Sequence, residues 1–216
     1  MKIGFSRAPI TSALLIAIAV VWFAAPAPPA FDRHQELVTK GAVVPGLIED
    51  GQLWRLFTAM FLHASWLHWA VNSWALYQLG MLYEAMFGSK RFALIYFASG
   101  IVASTASSMN IETASVGASG AIFGVLGAFI FSIRRSPQWR HEPWTRSLLG
   151  QLIFFAVLNL YIGFQVPFID NTAHVAGLVT GLLLGFLPHR VPPPPPSHTV
   201  VDVQPYDDSP LRKDQP

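Results

Sequence analysis

Residues 113–133 read TASVGASGAIFGVLGAFIFSI, an unbroken run without Asp, Glu, Lys or Arg. Five other stretches of comparable length share that property: 8–31, 56–83, 92–111, 147–169 and 171–189. A helix needs roughly 20 mostly apolar residues to cross the roughly 30 Å hydrocarbon layer of a bilayer, and each stretch is that long or nearly so. Six helices of a water-soluble bundle would carry charged faces, and these stretches offer none. The composition agrees, with 52% hydrophobic and only 12% charged residues, against about 25% charged in an ordinary soluble domain. The expected fold is all-α: a polytopic membrane protein with six transmembrane helices at about 9–26, 62–83, 92–109, 116–133, 147–166 and 171–187, all within one domain over 1–190. Residues 191–216, which include Pro192–Pro196, read as a proline-rich, extended or disordered spacer.

Charge placement sets an expected orientation. Lys and Arg gather in cytoplasmic loops. With six spans, one alternating set of segments holds Lys2, Arg7, Lys90, Arg91, Arg134, Arg135, Arg140, Arg146, Arg190, Arg212 and Lys213, and the other only Arg33, Lys40 and Arg55. Both termini are therefore expected in the cytoplasm, with the 32–55 loop and the turns near Glu112 and Asp170 outside. Met1–Arg7 and Ala25-Pro26-Ala27 resemble the ends of a cleavable signal. The apolar run Ala8–Ala25 exceeds a usual signal core, however, and Pro28 would follow the cut, so a retained anchor is expected. Residues 30–55 form a long outward loop with apolar patches at Val43–Ile48 and Leu53-Trp54, suited to the membrane interface. With no cysteine in the chain, disulfide and thiolate chemistry are excluded.

The polar residues inside apolar runs carry the chemistry. His63, His68, Asn72 and Gln78 lie around the second run, Ser119 in the fourth, Asn159 in the fifth and His174 in the sixth. Any one alone most often hydrogen-bonds a neighbouring helix. Yet His68, Asn72, Ser119 and His174 all fall near the outward ends of their runs, which independent structural residues would not be expected to do. Being four apart, His68 and Asn72 share a helix face, and both can donate to a developing oxyanion. Ser119 sits in Gly117-Ala118-Ser119-Gly120, where glycines permit a tight turn and a helix start offers free N–H groups. His174 would act as general base toward Ser119. Gly177, Gly181 and Gly185, with Gly120 and Gly124, form small-residue stripes that let helices touch closely. Asp170 is read as the cap of the last helix, with Asn171, leaving a Ser–His dyad. A fourth helix from Ala118 to Ile133 would be too short for the bilayer, placing Ser119 in a water-filled recess. No His-Glu-x-x-His motif is present, so no metal is expected.

Gly117-x-Ser119-Gly120, then Ala173-His174-x-x-Gly177, with His68-x-x-x-Asn72, His63 and Trp54-Arg55 upstream, resembles the rhomboid family of intramembrane serine proteases over roughly 50–188. The resemblance implies a minimal, bacterial-type six-helix core in the inner membrane, with its site opening to the extracytoplasmic side. It implies Ser119 as nucleophile, His174 as general base and acid, and an oxyanion held by the Ser119 and Ala118 amides with His68 and Asn72. Gly117, Gly120, Phe123 and Gly177 would support the site, with Phe123 packing on His174 and Glu84 in a structural role, as an ion pair with Lys90 or Arg91. It implies no cofactor, no nucleic-acid partner, and single-span membrane proteins as substrates, with small residues near the cut. The oligomeric state is not encoded in any motif. The outer end of the fifth helix and Phe164–Ile169 are the positions from which a lid would cover the site. Three other readings compete. A silent helix-binding relative usually lacks the Ser or the His; a transporter needs buried charges and broken helices; a scaffold leaves the shared depth of the polar residues unexplained.

Overall fold

The computed structural model of the protein describes residues 7–24, 33–109, 114–137, 143–166 and 169–188. The expected tail, the signal-like ends, the turn at Glu112 and part of the 164–169 turn lie outside those residues. Each of the six charge-free stretches overlaps one main helix: α1 (Pro9–Phe23), α5 (Trp66–Phe87), α6 (Ser89–Ser108), α7 (Ser119–Arg135), α8 (Pro143–Gln165) and α9 (Asn171–Leu184). Between α1 and α5 run three short helices, α2 (Arg33–Lys40), α3 (Pro45–Glu49) and α4 (Arg55–Thr58), and a 3-10 turn over Ala59–Phe61. Among the described residues there is no strand, only an isolated antiparallel bridge between Val43 and Ser115. By length and hydropathy, one described helix stands out as able to cross a membrane, Trp144–Gln165, with 22 residues and a mean hydropathy of 1.8; Pro9–Phe23 and Asn171–Leu184 are shorter apolar helices.

Helix boundaries follow local chemistry. Ser65, in extended backbone, caps α5 by accepting from the His68 amide at 3.1 Å, so α5 starts at Trp66 rather than at the expected 62. Gly88, at φ +88°, breaks the chain between α5 and α6. Asp170 caps α9 by accepting from the Ala173 amide at 2.9 Å, as its residue type suggests. The 33–58 region is a folded layer. Arg55 is buried there, its Nη1 donating to the Val38 carbonyl at 2.6 Å and the Ala42 carbonyl at 3.1 Å, and its Nε to Gln52 Oε1 at 2.8 Å. Leu53, Trp54 and Phe57 stay exposed beside it, the composition favoured at a membrane interface.

Helix α7 is the centre of the bundle. Most of its residues, from Gly120 through Ile133, are buried, and it contacts α5, α6, α8 and α9. Against α9 it packs backbone to backbone: a Cβ added at Gly177 would lie 2.0 Å from the Gly120 carbonyl oxygen, and one at Gly181 would lie 1.8 Å from that of Gly124. On the other side Gly124 faces Ser99 of α6, where an added Cβ would meet Ser99 Cβ at 2.1 Å.

Two buried charges tie the outer helices to this centre. Glu84 does not pair with Lys90 or Arg91, correcting the expectation. Its carboxylate instead accepts from the Ile10 amide (2.9 Å), the Thr11 amide (2.7 Å) and the Thr11 hydroxyl (2.7 Å). It thereby satisfies the free N–H groups at the start of α1, whose own cap residue, Ala8, supplies no side-chain bond. Arg91 reaches the opposite kind of terminus: its guanidinium donates to the Gly185 and Leu187 carbonyls after α9 (3.0 and 2.8 Å), to Ser132 Oγ and to Tyr83 Oη. In an apolar surrounding each such group needs a partner.

The α7–α9 contact makes a sharp prediction. Gly181→Val drives a side chain into fixed backbone and is expected to cost at least about 1–3 kcal/mol, seen as a lower Tm in detergent. Gly150→Ala, at an exposed α8 position with nothing within 4 Å of the added Cβ, is expected to leave Tm unchanged.

Candidate active site

The site begins at the strained turn before α7. Gly117 adopts φ +129°, a region essentially closed to residues with a Cβ, and its amide donates to the Ala59 carbonyl at 2.9 Å. An added Cβ there would lie 2.8 Å from the His68 ring. Glycine is therefore required twice, for the backbone angle and for the approach of His68. The turn leaves Ser119 as the first residue of α7, where backbone N–H groups lack partners within the helix. Helix α7 has 17 residues, which makes it about 25 Å long at 1.5 Å per residue.

Ser119 Oγ lies 2.9 Å from His174 Nε2. The His174 ring is buried and stacks in parallel on Phe123, with centroids 4.4 Å apart and planes 10° from parallel. Phe123 is one turn after Ser119, so α7 supplies both the hydroxyl and the plate that sets the imidazole plane. The close α7–α9 approach at Gly120 and Gly177 brings the two chains into register. Among the described residues His174 Nδ1 has no hydrogen-bond partner, and the Asp170 carboxylate bonds elsewhere, to the Ala173 amide and to the hydroxyls of Ser107 and Ser115.

The pair opens on a cavity of about 870 Å³ whose wall includes His68, Asn72, Gly117, Asn159 and Asp170. Asn72 is buried and donates one amide hydrogen to the His68 carbonyl at 2.9 Å; the amide carries two donors. Asn159 donates to the Phe155 carbonyl at 2.8 Å. Of the polar residues expected at one depth, Ser119, His174, His68 and Asn72 converge on this cavity. Gln78 does not, being exposed on α5. His63 is buried behind His68, ring centroids 5.1 Å apart. Met60, Gly100 and Ser104 also line the cavity, and nothing in their sequence context singled them out. Ser107 and Ser115 carry no motif either; the signal for them is the end of the bundle they share with Asp170. Among the described residues, no group of three or more His, Cys, Asp or Glu converges as a metal site would require.

The Rhomboid domain family matches residues 50–191. This chain belongs to the rhomboid family. Its relatives include the Rhomboid protease GluP of Bacillus subtilis (strain 168), 41% identical over 147 residues, and RHOMBOID-like protein 5 of Arabidopsis thaliana, 39% identical over 150 residues. The aligned region is 68% of this chain in both cases, but only 28% of GluP and 48% of the Arabidopsis protein. The Putative rhomboid protease YdcA of Bacillus subtilis (strain 168) is 33% identical over 142 residues, 65% of this chain and 69% of YdcA. The rhomboid match begins just ahead of Trp54-Arg55 and takes in every residue of the candidate site. Membership makes the chain an integral membrane protein.

Within this rhomboid site, Gly117→Ala is expected to cost about 1–3 kcal/mol through backbone strain and to push His68 away. Thermal unfolding in detergent reads the first effect. A shift of the His68 ring resonances reads the second.

Proposed function

We propose that this chain is an intramembrane serine endopeptidase working through Ser119 and His174. The observation that carries the reading is the 2.9 Å contact between Ser119 Oγ and His174 Nε2 on the wall of a cavity, in a chain whose relatives include a named rhomboid protease. In this mechanism His174 Nε2 takes the Ser119 proton as Oγ attacks the scissile carbonyl, and returns it to the leaving amine. The tetrahedral oxyanion is held by the Ser119 amide at the start of α7, aided by the Ala118 amide and the side chains of His68 and Asn72. Water in the cavity then hydrolyses the acyl-enzyme, with His174 again as base. No step calls for a cofactor.

The substrates proposed are single-span membrane proteins. A peptide bond inside a helix is shielded by its own backbone, so the segment has to unwind to reach Ser119, which favours weak helices with small residues near the cut. We place six spans in the membrane, both termini in the cytoplasm, and the cavity mouth toward the extracytoplasmic face of a bacterial inner membrane. The charge distribution supports that placement.

The test is cleavage of a single-span substrate by purified protein in detergent. Ser119→Ala and His174→Ala are each expected to abolish the cut while unfolding as the wild type does. His68→Ala and Asn72→Ala are expected to slow it by about 100–1000-fold, the usual worth of one oxyanion donor. No cut by the wild type on several substrates, with no fluorophosphonate labelling of Ser119, would leave a helix-binding protein instead. Because the chain has no cysteine, topology has a clean assay. An impermeant maleimide is expected to label Asp50→Cys in intact cells, and Arg134→Cys only after lysis.

A further inference from the structure

Among the described residues Asp170 makes three side-chain hydrogen bonds, and only one of them is explained by capping. Oδ1 accepts from the Ala173 amide at 2.9 Å, which caps α9. Oδ2 accepts from Ser115 Oγ at 2.8 Å and from the hydroxyl of Ser107, a fully buried residue at the end of α6. Ser115 is itself held by the backbone: its amide donates to the Val43 carbonyl at 2.9 Å, and its carbonyl accepts from the Val43 amide at 3.0 Å. One carboxylate therefore gathers the end of α6, the segment leading into α7, the folded 33–58 layer through Val43, and the start of α9.

The spacing gives this cluster its meaning. Ser115 lies four residues before Ser119, and Asp170 four residues before His174. The Ser115–Asp170 bond and the Ser119–His174 contact are two rungs between the same pair of chain segments. Between the rungs on the α7 side stands Gly117 at φ +129°, the residue type least able to hold a backbone angle by itself. On the α9 side, the His174 amide donates to the Asp170 carbonyl at 3.2 Å, joining cap and imidazole through a single helical turn. Glycine contacts fix α7 and α9 below the site, and the carboxylate fixes them above it. A charged acceptor suits that task because its hydrogen bonds are shorter and stronger than neutral ones.

We propose that Asp170 is a positioning residue for the nucleophile, acting through Ser115 and Ser107 to hold the α7 entry segment at the distance from α9 that aligns Ser119 with His174. It is not a third member of a triad: both carboxylate oxygens are occupied by other donors, and neither accepts from His174 Nδ1, which has no partner among the described residues. The functional consequence rests on the protease reading, whereas the clamp itself is a matter of geometry.

Two readouts separate them. The first is the rate of Ser119 labelling by a fluorophosphonate, which needs no substrate binding. Ser115→Ala is expected to slow it by about tenfold to a hundredfold, the scale of an ångström-sized misalignment, with kcat falling and KM unchanged. Ser115→Thr, which keeps the hydroxyl, is expected to recover most of the rate. Ser115→Ala combined with Asp170→Ala is expected to be no slower than Asp170→Ala alone, since both break the same rung. Should Asp170→Ala fail to fold, Ser115→Ala and Ser107→Ala carry the comparison. Wild-type labelling and kcat in Ser115→Ala would overturn the clamp and leave Asp170 a cap. The second readout is amide hydrogen exchange over residues 114–120 in Ser119→Ala protein, expected to quicken when Ser115→Ala is added. Unchanged exchange overturns the clamp. Faster exchange in a protein whose wild type never labels supports the clamp and overturns the protease reading.

Discussion

Backbone contact between α7 and α9 is the constraint on which the rest of this protein depends. Where Gly177 meets the Gly120 carbonyl and Gly181 meets that of Gly124, no side chain stands between the helices. The separation is then fixed by backbone van der Waals radii, which cannot repack. Side-chain packing leaves several rotamer solutions of similar energy, but glycine on carbonyl leaves one. That rigidity lets a hydroxyl on one helix and an imidazole on another stay within hydrogen-bond distance with no third group bonded to the imidazole among the described residues.

The second organising principle is satisfaction of polar groups where water is scarce. Glu84 completes the N-terminal N–H groups of α1, and Arg91 completes the carbonyls after α9. Asp170 gathers hydroxyls at the outer end. Each of these side chains could have been a liability in an apolar bundle. Each instead bonds a helix terminus or a connecting segment, so the buried charges also fix how the helices are staggered.

The sequence disclosed what depends on local composition. Charge-free runs located the six main helices, Ser65 and Asp170 are cap types at helix starts, and the Gly-Ala-Ser-Gly turn pointed to Ser119. Long-range partners were not legible. Glu84 looked closest to Lys90 and Arg91, yet its partners are 73 and 74 residues away; Arg91 bonds carbonyls 94 and 96 residues on. Sequence proximity misleads here because Gly88 turns the chain between α5 and α6, sending the two side chains to different neighbours. The sequence reads 30–55 as a loop, whereas 33–58 folds into a layer whose short helices owe their order to Arg55 and its contacts with Val38 and Ala42, which no periodicity reveals. Ser107 and Ser115 carry no motif, and only the folded arrangement gives them a common partner.

The Phe123–His174 stack has an electrostatic side. An aromatic face carries the negative part of its quadrupole, so a ring lying 4.4 Å from a neutral imidazole lies equally close when that imidazole gains a proton. The attraction then becomes cation–π in kind, worth about 0.5–2 kcal/mol depending on desolvation. In the proposed mechanism, a dyad without a carboxylate on its histidine thus has a partial substitute that costs nothing to desolvate before the proton moves. It stabilises the charged form only while that form exists, and unlike a fixed anion it does not hold the imidazole protonated between turnovers.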